Sequence, residues 1–207
     1  MRLLCVGLLT VAMGAASGGV ARGEDYEASG GTEKAYKHGG QFKIYAQTGI
    51  GYRLIFRYDD DDFCGQAGKT NCNGAVPFWL EAGIGYGVTD SFELITDVRL
   101  GLGEDFSPST TTSGPKQFVI APGMRIFIDD AGSLKFFSTV QLAIDRTDYS
   151  ASGNSKATDF GVRNVNGFLI DLHRTFGVYV HVGETIGFVR WLRFEIDGGI
   201  GMMIRLP

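Results

Sequence analysis

Apolar side chains alternate with polar or small ones over most of this sequence, and this period of two residues restricts the chain to β-structure. Segment 78–88 shows the pattern best: its even positions are mostly large and apolar, and its odd positions hold Trp79, Glu81 and glycines. Successive side chains of a β-strand point to opposite faces. Each such segment is therefore predicted to be an amphipathic strand, with one apolar face and one polar or small face.

The alternation recurs in about eight segments, each long enough to cross a tilted bilayer as a strand of ~9–11 residues. One segment is less regular, because Asn164 and Asn166 fall on its apolar side. No run after residue 20 is long and apolar enough to cross a membrane as a helix, so membrane insertion would require a closed barrel. The predicted strands lie within residues 41–57, 78–88, 92–103, 117–128, 134–145, 159–171, 176–183 and 188–206.

The connections between these segments alternate in length. Short turns are predicted at 88–91, 129–132 and 173–175, and long polar loops at 58–75, 104–116 and 146–157. Outer-membrane barrels have short turns on the periplasmic side and longer loops outside the cell. The sequence therefore predicts an all-β fold, a single antiparallel up-and-down transmembrane β-barrel of about eight strands, with both termini in the periplasm.

Alternation alone also fits a soluble lipocalin-like barrel, whose apolar face points inward. The volume of the interior separates the two, because eight strands enclose a space only just wide enough for their own side chains. Bulky aliphatic and aromatic residues occupy the apolar face, whereas the glycines of the strands fall largely on the opposite face. Since small residues suit the crowded concave side, the apolar face is predicted to meet lipid.

The face assigned to the lumen carries charges of both signs in nearly equal number. A charge sealed in a narrow interior must be paired, because an unpaired one costs several kcal/mol. We therefore expect a salt-bridged, largely closed lumen and not an open pore. The predicted network consists of Lys43, Arg53, Arg57, Glu81, Glu93, Asp97, Arg99, Arg125, Lys135, Asp145, Arg163, Arg193, Glu195, Asp197 and Arg205.

The N-terminal residues have the features of an export signal. Arg2 precedes the apolar stretch 3–16, which is too short to span a membrane, and small residues follow it. Cleavage is expected after Ala21 or after Gly23. The sequence is thus divided into a signal peptide (1–23), a flexible periplasmic lead-in (24–40) and the outer-membrane barrel (41–207).

The end of the chain, from Ile200 to Pro207, places a glycine before apolar residues at alternate positions. This resembles the C-terminal strand signal that the barrel-assembly machinery reads, although such proteins usually end in an aromatic residue. Over about residues 41–207 the chain resembles the small OmpA/OmpX-type eight-stranded outer-membrane proteins, without their peptidoglycan-binding domain. The resemblance implies a bacterial outer-membrane location, with membrane lipid, lipopolysaccharide and the assembly machinery as partners.

These features predict a structural or interaction barrel whose outer loops face the environment, with a narrow channel for small solutes as the alternative. Some barrels of this kind modify lipid A through a histidine with a serine or acidic partner at the lipid. Here His38 and His173 lie outside the predicted strands, and His181 has the parity of the lumen. The sequence therefore predicts neither an enzyme nor a cofactor, and lipid A modification stays as a third alternative behind the channel. A net charge of −4 gives no reason to expect nucleic acid.

The first long loop holds the remaining candidate residues. It begins with four consecutive carboxylates, Asp59, Asp60, Asp61 and Asp62. They could bind Ca²⁺ or Mg²⁺, but their spacing does not match an EF-hand loop, and a solvated acidic loop is the favoured interpretation. Cys64 and Cys72 remain after removal of the signal, and an even number of cysteines in an exported chain predicts a disulfide between them.

Overall fold

The computed structural model describes residues 38–56, 71–102, 116–128, 132–147 and 158–206. They form one closed antiparallel barrel in which every strand pairs with its neighbours in sequence order and the first pairs with the last. The predicted fold class is confirmed. The strands are β1 (Phe42–Phe56), β2 (Asn71–Gly87), β3 (Phe92–Gly101), β4 (Phe118–Ile128), β5 (Leu134–Asp145), β6 (Asp159–His173), β7 (Phe176–Gly187) and β8 (Leu192–Leu206).

The seam between β1 and β8 closes the barrel along the whole of both strands. Phe42 lies opposite Leu206 at one end of the seam, and Phe56 lies opposite Leu192 at the other. Closure pairs the backbone groups that an edge strand would leave open. Among the described residues, no helix has the length and apolar character to cross a membrane.

The two faces of the barrel differ as the alternation predicts. Leu100 points outward and is 48% exposed, whereas Gln141 points inward and is 2% exposed. Such a continuous exposed apolar surface is rare on soluble proteins and matches the lipid-facing band of membrane barrels. The band includes Ile44, Leu80, Ile84, Leu94, Leu100, Ile126, Leu142, Val162, Val180, Ile200 and Met202.

Glycines make room for large side chains inside this narrow barrel. A Cβ atom added to Gly167 would lie 2.6 Å from the Phe137 ring, and one added to Gly201 would lie 2.6 Å from the Tyr179 hydroxyl. Real Cβ atoms do not come so close to other heavy atoms, so these rings occupy space that only glycine leaves free. The lumen therefore combines glycines on some strands with bulky residues on the facing ones.

Two strands, β2 and β7, extend at least four residues beyond their predicted bounds, and β8 begins four residues later than predicted, at Leu192. β2 begins at Asn71, inside the segment 58–75 predicted to be a long loop. It begins there because Asn73 and the residues after it pair with the second half of β1. β7 continues to Gly187, because Glu184 pairs with both neighbouring strands although its side chain is charged and outward. In both places the backbone ladder overrides the local polarity of the sequence.

Connections 88–91, 129–133 and 174–175 lie at one end of the barrel, the short-connection end. The opposite end carries three longer connections and the short one at 188–191. Several predicted features fall outside the described residues or, for Cys72, on a side chain that is not described. These are the signal peptide, the lead-in up to residue 37, Arg57, the carboxylates Asp59 to Asp62, and the Cys64–Cys72 disulfide.

We expect the purified protein to show heat-modifiable migration in SDS gels. A barrel closed by the β1–β8 seam offers no free edge at which unfolding could begin, so the unboiled form should stay folded and run at a different position from the boiled form. The measurement is electrophoresis of matched boiled and unboiled samples. Identical migration of the two samples would contradict the closed barrel.

Candidate functional site in the barrel lumen

Arg99 is the centre of the largest charge cluster in the lumen. Its Nε donates to Glu81 Oε2 at 2.7 Å, and its Nη1 donates to Glu195 Oε1 at 3.1 Å and to Asp197 Oδ2 at 3.0 Å. These side chains are at most 4% exposed. One planar guanidinium thus bonds three carboxylates from β2 and β8. Arginine suits this position better than lysine, because its donors are arranged in a planar fork whereas the lysine ammonium is a single point charge.

Two further arginines complete this central cluster. Arg53 Nη2 lies 2.9 Å from Glu195 Oε2, and Arg163 Nη1 lies 3.0 Å from Glu81 Oε1. Arg53 lies directly opposite Glu195 across the β1–β8 seam. Arg163 on β6 and Glu81 on β2 belong to strands that are not neighbours, so this second contact crosses the lumen. Since charges in low dielectric are stable only when paired and hydrogen-bonded, the cluster gives each carboxylate a cation that arrives from another strand.

A second cluster lies at the end away from the short connections. Asp145 forms ion pairs with Arg193 and with Arg190, whose Nη2 is 3.0 Å from Asp145 Oδ1. Asp159 Oδ1 accepts hydrogen bonds from the backbone of Val189 at 2.8 Å and of Arg190 at 3.0 Å. Arg190 and Asp159 are not among the predicted network residues. Arg190 lies in a turn, where the period of two residues no longer indicates direction, and Asp159 is the first residue of β6.

An aromatic layer separates the central cluster from the short-connection end. The Arg125 guanidinium lies 4.5 Å from the ring centre of Tyr45, 4.7 Å from that of Phe137 and 5.9 Å from that of Tyr179. Its Nε donates to Thr139 Oγ1 at 3.0 Å. A cation over an aromatic face is attracted to it more strongly when both are removed from water. The four side chains come from β1, β4, β5 and β7, so the layer is built from opposite walls of the barrel.

The aromatic layer was missed at the sequence level. The lumen was expected to be polar and glycine-rich, yet Tyr45, Phe137 and Tyr179 are at most 4% exposed and lie within it. The signal that could have found them is parity, because Tyr45 shares its strand face with Lys43 and Phe137 shares its face with Lys135.

A third cluster lies beneath this layer, at the short-connection end. Lys43 Nζ donates to Glu93 Oε2 at 3.1 Å, Lys135 Nζ lies 3.2 Å from Asp171 Oδ2, and Arg205 also pairs with Asp171. Asp171 was not among the predicted network residues, since it ended the least regular segment.

His38 and the two glycines after it form a strap across the short-connection end. The backbone N–H groups of His38 and Gly39 donate to Asp90 Oδ1 at 3.0 and 2.9 Å. Gly40 has a φ of 74°, which glycine adopts without strain. His38 is only 1% exposed, so the end of the segment expected to be a flexible lead-in packs into the barrel because Asp90 and the third cluster hold it there.

The His38 ring is enclosed by charges and by one aromatic ring. Its Nδ1 lies 2.7 Å from Lys43 Nζ, its Nε2 lies 3.7 Å from Asp171 Oδ2, and its centre is 4.3 Å from that of Phe127. Burial is the main reason why the pKa of His38 falls to about 3, and the positive charge of Lys43 lowers it further, against the opposing effect of the Asp171 bond. The imidazole is therefore neutral at neutral pH, and its Nδ1 accepts a hydrogen bond from the Lys43 ammonium.

The network residues that the structure describes are all buried in the lumen. A cavity of about 10 Å³ lies beside Arg99, Glu81 and Asp97, which is room for about one water molecule. Among the described residues, no group of three or more histidine, cysteine or carboxylate side chains could hold a metal ion. His38 and His181 are buried, and His173 lies in an exposed hydrogen bond with Thr175.

Comparisons with known proteins were made on both sequence and structure. No protein-family model and no curated protein matches the chain in sequence. The structure matches Neisserial surface protein A with a TM-score of 0.53 at 13% identity, over 80% of this chain and 97% of that one. The chain has the fold of a small eight-stranded outer-membrane barrel.

Two other solved barrels show the same relationship at lower scores. The N-terminal β-barrel domain of Pseudomonas aeruginosa OprF has a TM-score of 0.49 at 12% identity, over 79% of this chain and 97% of that one. The outer membrane protein OprG from the same organism has a TM-score of 0.48 at 10% identity, over 83% of this chain and 98% of that one.

We expect Arg99→Met to destabilise the barrel by about 3–5 kcal/mol, the usual cost of removing one partner from a buried ion pair. The substitution keeps a long side chain but leaves Glu81, Glu195 and Asp197 with one cation fewer. Denaturant unfolding in lipid vesicles measures the free energy. Leu100→Met is the matched control on the lipid face, and it should change the free energy of unfolding by less than about 1.5 kcal/mol. An Arg99→Met protein as stable as the parent would contradict the network.

We expect the His38 imidazole to stay neutral until the pH approaches about 3, against 6.5 for an ordinary histidine. Between these values the unfolded chain binds more protons than the folded one, so the contribution of His38 to stability is complete above pH 6.5 and is lost as the pH falls towards 3. NMR shifts of the imidazole measure the titration directly. His38→Asn identifies the signal, and a midpoint near 6.5 in the parent would show that the strap is not buried.

Proposed function

We propose that this chain is an integral protein of the bacterial outer membrane that acts as a structural or interaction barrel and not as an open pore. The observation that carries the proposal is the filled lumen. The rings of Tyr45, Phe137 and Tyr179 pack around the Arg125 guanidinium inside it, and charge clusters lie on both sides of this layer. A barrel filled in this way leaves its outer surface and its connections as the parts that meet other molecules.

The outward band supports the membrane location. Phe42 and Tyr86 pack at 5.0 Å between ring centres near the short-connection end, and Phe56 and Phe194 pack at 6.1 Å near the opposite end. Aromatic residues at both ends of an apolar band are typical of the two membrane interfaces. In this proposal the short connections and both termini are periplasmic, and the longer connections meet lipopolysaccharide outside. The barrel-assembly machinery would insert the chain.

A narrow channel for small solutes is the second candidate, and one observation favours it. Several buried polar atoms near mid-lumen have no hydrogen-bond partner within the described part of the chain, among them Arg163 Nε, Asp197 Oδ1 and both ring nitrogens of His181. Buried polar groups of this kind commonly bind ordered water. Water at these positions would give small polar solutes a partial path, which the Arg125 layer interrupts.

Solute flux through reconstituted liposomes distinguishes the two candidates. We expect the parent protein to leave entrapped small sugars in place, and the double variant Arg125→Ala, Phe137→Ala to release them, because it removes two of the four large side chains of the aromatic layer. Val140→Ala on the lipid face is the matched control and should behave like the parent. Release by the parent at a rate that the double variant does not raise would favour the channel and reject the filled barrel.

A further inference from the structure

Four polar side chains form a cluster on the outward face of the barrel, where most residues are apolar. They are Ser138 on β5, Asn164 and Asn166 on β6, and Glu184 on β7, and the structure leaves Glu184 exposed and the other three half-buried. We call these four residues the polar patch. Asn164 and Asn166 interrupt the alternation of β6, and Glu184 interrupts that of β7 near its end.

The polar patch lies inside the apolar band and not at its edge. Asn164 is midway along β6 between the outward rings of Phe160 and Phe168. Glu184 is flanked on β7 by Val182 and Ile186, which are 55% and 46% exposed. At this depth in a membrane there is no water to bond the patch, and charges on the lipid face of a barrel are destabilising.

Strand register brings the four residues together. Ser138 lies opposite Asn166 across β5 and β6, and Asn164 lies opposite Glu184 across β6 and β7. Asn166 Nδ2 donates to Asn164 Oδ1, and Asn164 Nδ2 donates to the backbone oxygen of Thr139 at 3.1 Å. Each amide group has two protons and each of these bonds uses one, so donors remain beside the Glu184 carboxylate, which only accepts.

We propose that the polar patch is the contact surface of a dimer of this chain within the membrane. Two copies inserted in the same direction are related by a two-fold axis along the membrane normal, so side chains at similar depth meet across it. Adjacent register puts Glu184 and Asn164 at similar depth. The carboxylate of one copy then accepts hydrogen bonds from the amides of the other, twice over, and lipid no longer covers either group.

The surroundings of the patch favour a second barrel as the occupant. Val140, Val162 and Val182 border it, and Gly198 lies opposite Val182 on β8. Short side chains let two backbones approach closely in a membrane. The patch also supplies both the donor and the acceptor, so it is complementary to itself and needs no partner of different chemistry.

Association in bilayers tests the proposal. Separately dye-labelled copies of the full protein are reconstituted together, and energy transfer is followed as lipid dilutes them. We expect the parent to associate, and Glu184→Leu and Asn164→Leu to weaken association by about tenfold or more. Both variants replace a polar group by an apolar one on the lipid face, so each should keep heat-modifiable migration. Thr96→Leu makes the same kind of change on β3 and should leave association unchanged.

Cross-linking locates the contact. In a protein with Cys64→Ser and Cys72→Ser, the variant Val182→Cys should form a disulfide-linked dimer in bilayers, because the proposed axis passes close to residue 182. Ile84→Cys on β2 should not cross-link. A parent protein that is monomeric at every dilution, a dimer that Glu184→Leu leaves intact, or cross-linking through residue 84 in place of 182 would each overturn the proposal.

Discussion

Pairing of enclosed charges is the constraint on which the rest of this structure depends. Nine cations and eight carboxylates are buried among the described residues, and each would cost several kcal/mol if it were left alone in a narrow interior. The barrel meets this requirement by placing opposite charges on strands that face each other. Arg99 is the clearest case, because it joins Glu81 on β2 to Glu195 and Asp197 on β8.

The charge clusters and the aromatic layer stabilise the lumen in different ways, the first by ion pairing and the second by packing. The ion pairs join strands that are distant in sequence. Near them, within the described part of the chain, some buried polar atoms have no hydrogen-bond partner, among them both ring nitrogens of His181. The three aromatic rings pack around the guanidinium of Arg125. Glycines at positions such as Gly167 and Gly201 admit these rings, so the small and the large residues of the lumen are two parts of one packing arrangement.

Much of this arrangement follows from the sequence, because direction in a strand depends only on parity. Leu100 outside and Gln141 inside follow from it, and so does the inward direction of Arg99. Parity does not identify partners, since Arg99 and Glu195 are separated by 96 residues and their contact depends on register around the whole barrel. Nor does it reach beyond the strands: His38 precedes β1 and Arg190 lies in a turn, and tertiary contacts alone bring both into the lumen.

The β1–β8 seam also determines when the barrel can become stable. Arg53 and its partner Glu195 are 142 residues apart, and both belong to strands that meet only at this seam. Until β8 arrives, the ladder of β1 is open on one side, and the arginines of the central cluster lack two of their three carboxylates, Glu195 and Asp197. Contacts between residues so far apart in sequence slow folding, because the chain loses conformational entropy before the contact forms and stabilises it. The backbone seam and the pairing of the enclosed charges therefore form together, late in folding. A partly assembled sheet has an open edge and unpaired arginines.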